Sequence, residues 1–117
     1  MPGHRRLALS EVGEITVVRF MDRQILDETN IQEIGQELFQ LVDEEGRNQL
    51  LLNFCDVQFL SSSALGKLIT LHRKLKACGG ALRMSNIRQE IYDVLAITKL
   101  NKLFSIHDDE VEALAAF

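Results

Sequence analysis

The segment Leu50-Leu51-Leu52-Asn53-Phe54 is almost entirely apolar over five consecutive positions. A strand with one face in water alternates apolar and polar side chains, whereas a nearly continuous apolar run is typical of a central strand that is covered on both faces. Such a strand needs other elements packed above and below it. The run therefore indicates a layered protein in which helices cover a sheet.

Strand and helix patterns alternate along the rest of the chain. Strands are predicted near 7–9, 15–20, 50–54, 81–84 and 103–106, and helices near 30–45, 61–77, after Ser85 or Asn86, and after Asp108 or Asp109. The first helix could be capped by Thr29 with Gln32 or by Asn30 with Glu33. This order predicts a single α/β domain, a mixed and mostly parallel sheet of four to five strands packed with four α-helices.

Length and composition limit the possible classes of protein. A chain of 117 residues suits one domain, here 1–117 with an ordered core at about 7–116. No apolar run approaches the ~20 residues of a membrane span, and the start at 1–6 lacks the apolar stretch of a secretory signal, so we expect a cytoplasmic protein. The net charge of −4 argues against direct binding to nucleic acid.

The two cysteines, Cys55 and Cys78, form no CxxC pair and indicate no zinc site. We expect both to be buried, reduced thiols, as is common in cytosolic proteins. The sequence predicts neither a metal site nor a cofactor.

The most informative segment is a serine cluster, Ser61-Ser62-Ser63, that follows the apolar strand after a short loop. Loops at the carboxyl ends of parallel strands commonly carry function. Serines before an apolar helix usually act as caps. A phosphate on Ser62 would also suit this position, because the first turn of a helix favours an anion. The residues alone leave both interpretations open.

The segment resembles the signature of the bacterial anti-sigma factor antagonists, which belong to the STAS domain family. In that family a strand ending in Asn or Asp precedes a loop with an Asp, an apolar pair, and Asp-Ser-Ser-Gly-Leu-Gly. The resemblance extends over the whole domain, including Gly79-Gly80 and the run from Leu100 to Phe104. The matching positions are Asn53, Asp56, Phe59, Leu60, Ser62, Ser63, Leu65 and Gly66, with Ile25 to Asp27 further upstream.

The resemblance implies a regulatory protein rather than an enzyme. In the family, the first serine of the pair is phosphorylated by a serine kinase that is also the anti-sigma factor, and a phosphatase reverses this; that serine is Ser62 here. Ser61 stands in place of the family's Asp and Ala64 in place of its Gly. The surrounding residues that we expect to shape the loop and contact the partner are Asp27, Asp56, Ser61, Ser63, Ala64 and Gly66.

Two other functions have some support in the sequence. The first is a constitutive STAS adaptor, either in a signalling scaffold or in an ABC-type lipid-transport complex, which would not respond to phosphorylation. The second is a serine hydrolase, since Ser62, His72 and Asp56 are present. The Gly-x-Ser-x-Gly elbow is absent, and ten residues of helix separate Ser62 from His72 by about 15 Å, which is too far for a hydrogen bond.

Overall fold

The computed structural model describes residues 6–117, so the predictions about the first five residues lie outside the described part. The elements follow each other as β1 (Leu7–Val12), β2 (Ile15–Phe20), β3 (Gln24–Ile25), α1 (Glu28–Asp43), β4 (Gln49–Asn53), β5 (Phe59–Leu60), α2 (Ser62–Ala77), β6 (Ala81–Ser85), α3 (Gln89–Ile97), a 3-10 turn (Leu100–Lys102), β7 (Ser105–His107) and α4 (Glu110–Ala115).

Five of the strands form one sheet in the order β1-β2-β4-β6-β7. β1 and β2 form an antiparallel hairpin, and the remaining pairs, β2 with β4, β4 with β6, and β6 with β7, are parallel. The predicted fold class, a mixed and mostly parallel sheet with four helices, is confirmed.

The apolar run forms β4, the middle strand of this sheet. Leu50 and Leu52 face the main core beneath α1 and α2, while Leu51 faces the opposite side, where it packs with Val17 and Ala113. All three leucines are completely buried. The continuous apolar pattern of β4 thus arises because helices cover both faces of the sheet.

Several predicted boundaries were wrong by a few residues. α1 begins at Glu28 and is capped by Asp27, not by Thr29 or Asn30. Neither Ser85 nor Asn86 caps α3, because Ser85 belongs to β6 and is fully buried. The helix starts only at Gln89, after a residue that makes no side-chain cap bond.

The last strand and the last helix also differ in detail from the prediction. The strand expected at 103–106 lies at Ser105–His107, because the preceding residues form the 3-10 turn. Either Asp108 or Asp109 was predicted to cap the last helix, and Asp109 is the cap of α4. The buried residue of this helix is Ala113, whereas Val111 is 77% exposed.

The expectation of buried cysteines was wrong. Cys55 is only half-buried, and Cys78 is exposed at the carboxyl end of α2, where its thiol donates a hydrogen bond to the Leu75 carbonyl oxygen at 3.3 Å. Both thiols are free. Within residues 6–117, no helix combines the length and the apolar character needed to cross a bilayer.

His72 on α2 is a packing residue. Its ring lies edge-on against Phe104, with 5.8 Å between the ring centroids. Partial burial, followed by the nearby charge of Lys76, lowers the pKa of His72 below its ordinary value. The geometry supports the packing role and not that of a base for Ser62.

Gly80 is the tightest point of the connection from α2 to β6. A Cβ atom at this position would lie 2.1 Å from the carbonyl oxygen of Asn48 in the segment that leads into β4. The same oxygen accepts a hydrogen bond from the Ala81 N–H at 2.8 Å, so it is held in place. Only glycine permits this close backbone approach.

We expect Gly80→Ala to lower the free energy of unfolding by about 1–3 kcal/mol, because the backbone must shift to admit the methyl group. Gly66→Ala is the matched control. A Cβ atom at Gly66 meets no heavy atom within 4 Å, and alanine favours a helix interior by roughly 0.5–1 kcal/mol. Urea unfolding of the two variants should therefore give opposite signs; equal effects would contradict the close approach at Gly80.

Candidate functional site

Two very short strands bring the starts of α1 and α2 together. β3 and β5 pair in parallel, Gln24 with Phe59 and Ile25 with Leu60. The pairing is continued by the Ser61 N–H, which donates to the Ile25 carbonyl oxygen at 3.0 Å. Each strand is followed within three residues by its helix. The amino-terminal ends of α1 and α2 therefore lie side by side at one edge of the domain.

The three serines at the start of α2 have different environments. Ser61 is the N-cap, and its hydroxyl oxygen accepts a hydrogen bond from the Ala64 N–H at 3.3 Å. The Ser63 hydroxyl donates to the Glu28 carboxylate of α1 at 3.2 Å. Ser62 is exposed, and its hydroxyl makes no hydrogen bond to any residue in 6–117. Of the three serines, Ser62 is thus the one whose exposed hydroxyl has no hydrogen-bond partner among the described residues.

The electrostatics of this helix start are also distinctive. Of the four α-helices between residues 6 and 117, α2 is the one without a carboxylate in its first turn. Its terminal N–H groups and the partial positive charge of the helix dipole are therefore not balanced by an acidic side chain of that turn. The Glu28 carboxylate of α1 reaches this helix start through Ser63, and an anion attached to Ser62 would add a further negative charge there.

The other predicted site residues occupy different positions around the serines. Asp27 is exposed and caps α1, accepting a hydrogen bond from the Asn30 N–H at 3.2 Å. Asp56 is exposed in the turn after β4, which is closed by a bond from the Val57 N–H to the Phe54 carbonyl oxygen at 2.9 Å. No hydrogen bond within the described range links Asp56 to the serines.

Ala64 and Gly66 contribute in opposite ways. Ala64 is buried in the core at 5% exposure, so it supports the start of α2 from inside and is not part of the surface near the serines. Gly66 is exposed, with open space where a side chain would be. A partner could approach the backbone of α2 closely at Gly66.

An exposed apolar surface borders the β3–β5 pair and α3. We call it the Phe59 patch; it consists of Leu26, Phe59 and Val94, which are 51%, 49% and 41% exposed. The three side chains line a shallow concavity of about 160 Å³ together with Leu60, Leu65 and Ile91. Large apolar side chains grouped in this way are typical of a protein-binding surface.

Sequence reasoning missed most of this patch. From the spacing of Ile87, Ile91, Val94 and Leu95 along the sequence, Val94 is predicted to face the core. The nine residues of α3 bury only Ile91 and Leu95. The sequence does contain a signal for this surface. Val94 and Ile97, which is 82% exposed, make the apolar stripe of α3 wider than is needed to pack the helix against the core.

The different roles of the serines predict different effects of alanine substitution on stability. Ser61→Ala should lower the free energy of unfolding by about 1 kcal/mol, because the helix loses its cap. Ser62→Ala should change it by less than about 0.5 kcal/mol, as expected for an exposed side chain without partners. Urea unfolding measures both; a larger loss from Ser62→Ala than from Ser61→Ala would contradict the assignment of the cap.

The chain was compared with protein families and with known proteins. The family model described as the STAS domain matches residues 6–113. A candidate anti-sigma factor antagonist of Thermotoga neapolitana is 28% identical over 98 residues, which cover 84% of this chain and 87% of the relative.

Solved structures show the same fold. The crystal structure of a candidate anti-sigma factor antagonist from Thermotoga maritima matches with a TM-score of 0.84 and 23% identity, covering 97% of this chain and 95% of that one. The Bacillus cell fate determinant SpoIIAA in its phosphorylated form matches with a TM-score of 0.72 and 21% identity over 94% of this chain and 97% of that chain. From the family match and the shared architecture, we conclude that the chain belongs to the STAS domain family.

Proposed function

We propose that this protein is an anti-sigma factor antagonist that binds an anti-sigma factor serine kinase and is released when Ser62 is phosphorylated. The observation that carries the proposal is the free, exposed hydroxyl of Ser62 between two serines that are already hydrogen-bonded. A kinase can modify Ser62 without first breaking a cap or a contact between helices.

The comparisons support this proposal through the names of the related proteins. Relatives carry the description anti-sigma factor antagonist, among them one described as an anti-sigma F factor antagonist in Paenibacillus polymyxa. The phosphorylated SpoIIAA shows that this fold accommodates a phosphorylated form in that protein. In the proposed cycle the ATP belongs to the kinase, a phosphatase restores the serine, and the exchange takes place in the cytoplasm.

The Phe59 patch offers the apolar part of the docking surface. It adjoins β5, and β5 leads directly into the serine cluster, so a partner that covers Phe59 also covers the start of α2. Burying an exposed apolar side chain contributes roughly 1.5–3 kcal/mol when the burial is complete. Leu26, Phe59 and Val94 could therefore supply much of the affinity for the unmodified protein.

Phosphorylation would act on this interface rather than on the fold. A phosphate on Ser62 carries about −1.5 to −2 charges and three acceptor oxygens. Within the domain it sits at a helix start that favours an anion. Under a docked partner the same charge would lose its water, and burying an unpaired charge is strongly unfavourable. The free domain remains stable while the complex is weakened.

Phosphate mapping tests the choice of hydroxyl. In protein isolated from its own cells under several growth conditions, we expect phosphate on Ser62 and not on Ser61 or Ser63, whose hydroxyls are occupied by the cap and by Glu28. Intact-mass analysis followed by fragmentation of the peptide that contains all three serines distinguishes the positions. Phosphate confined to Ser61 or Ser63 would overturn the assignment, and its absence in every condition would favour a constitutive adaptor.

Binding experiments test the switch itself. The kinase is first isolated as the activity that phosphorylates Ser62, and its affinity for the unmodified chain is then measured by calorimetry. Ser62→Asp should weaken binding by at least about tenfold, which corresponds to 1.4 kcal/mol, because a charge is introduced under the partner. Ser62→Ala should bind like the wild type.

Val94→Glu provides the second arm of this experiment. It places a charge on the Phe59 patch while leaving the serines intact, and it should weaken binding to a similar degree. Circular dichroism verifies that the variants are folded. If Ser62→Asp binds with wild-type affinity and only Val94→Glu binds more weakly, the phosphorylation switch is refuted. The proposed docking surface would still stand.

A further inference from the structure

A second cavity among residues 6–117 lies away from the serines. It has a volume of about 610 Å³ and is found where β6 and β7 end, beneath α3 and beside the 3-10 turn. Its size is within the range of small-molecule sites, and the carboxyl ends of parallel strands are where α/β sheets commonly bind ligands. The Phe59 patch uses the other side of α3, through Ile91 and Val94.

The polar side chains that line the cavity offer several free hydrogen-bond acceptors. Gln89 donates its amide N–H to Asp93 at 2.7 Å, which leaves its carbonyl oxygen available. Asn101 and Asp108 make no side-chain hydrogen bond within the described range, so the Asp108 carboxylate is also available. The wall of the cavity therefore carries a carboxylate, that of Asp108, without an ion-pair partner among the described residues.

The His107 ring lies between two charged neighbours. Its Nε2 atom lies 3.2 Å from the Arg83 guanidinium, and because arginine only donates, this nitrogen must accept. Its Nδ1 atom faces Glu112 at 3.7 Å. The cavity lining includes no lysine or arginine; Lys102 lies next to Asn101 in the sequence without lining the cavity.

The apolar part of the wall combines two aromatic side chains, Tyr92 and Phe104, with Ile87 and Ile106. Tyr92 lies one turn after Gln89 on α3, so both side chains project from the same side of the helix, and Phe104 follows the 3-10 turn. Aromatic ring faces attract cations. A carboxylate, amide oxygens and aromatic rings around one cavity form a combination that suits a ligand with a positive charge and N–H donors.

We propose that this cavity is a binding site for a small, flat organic cation, such as an amine or amidinium carried by a ring. The ring would pack mainly against Tyr92, which is 36% exposed, since Phe104 is largely buried. The charged N–H groups would donate to Asp108 and to the Gln89 carbonyl oxygen. Anions of the same shape would be disfavoured, because they would face the Asp108 carboxylate, while the Arg83 guanidinium is engaged with His107.

A matched pair of probes tests the proposal. Benzamidine and benzoate have nearly the same size and shape but opposite charge. Titrated separately into the ¹⁵N-labelled full chain, benzamidine should shift the amide signals of residues 87–92 and 101–108 with saturation. It should bind about tenfold more tightly than benzoate, because its charge is opposite to that of Asp108 and because aromatic side chains attract a cation.

Two variants that each remove one carboxylate provide the control. Asp108→Asn should abolish the preference for benzamidine, whereas Glu44→Gln, at the far end of α1, should preserve it. Equal or tighter binding of benzoate, benzamidine shifts that map to other residues, or the absence of saturable benzamidine shifts would each overturn the proposal. None of these outcomes depends on phosphorylation of Ser62.

Discussion

The burial of β4 on both faces is the constraint on which the rest of the structure depends. Leu50 and Leu52 must be covered by α1 and α2, and Leu51 requires a separate cover, which α4 provides through Ala113. With both faces of the middle of the sheet occupied, polar residues can gather only at its ends. The serine cluster and the large cavity both follow from this arrangement, since each lies where the chain has just left a strand.

The sequence was sufficient to predict the elements with strong periodicity. β4 and α2 were predicted almost to the residue, because a continuous apolar run and a long amphipathic helix have few alternative structures. The pairing of β3 with β5 could not be predicted in this way. Two residues are too short to show a period, and Gln24 meets Phe59 only because the rest of the fold brings them together.

Only part of the candidate site could be predicted, again because some of its features depend on how the whole chain folds. The resemblance located Ser62, but it did not distinguish the functions of the three hydroxyls, because capping depends on where the helix begins and the bond of Ser63 depends on Glu28 of another helix. Val94 was misassigned because a short helix buries fewer apolar side chains than its pattern suggests. Local sequence indicates which residues are apolar, whereas packing decides which of them are covered.

The position of α3 has a consequence for how the two surfaces influence each other. One side of this helix contributes Val94 to the Phe59 patch, and the other contributes Tyr92 to the large cavity, yet only Ile91 and Leu95 anchor it in the core. Any molecule whose binding favours one placement of α3 changes the affinity of the opposite surface, and thermodynamic linkage makes this influence equal in both directions. If the cavity and the Phe59 patch bind a small molecule and a partner as proposed, this nine-residue helix with two buried anchors would let the concentration of the small molecule adjust how much of the protein is bound to its partner.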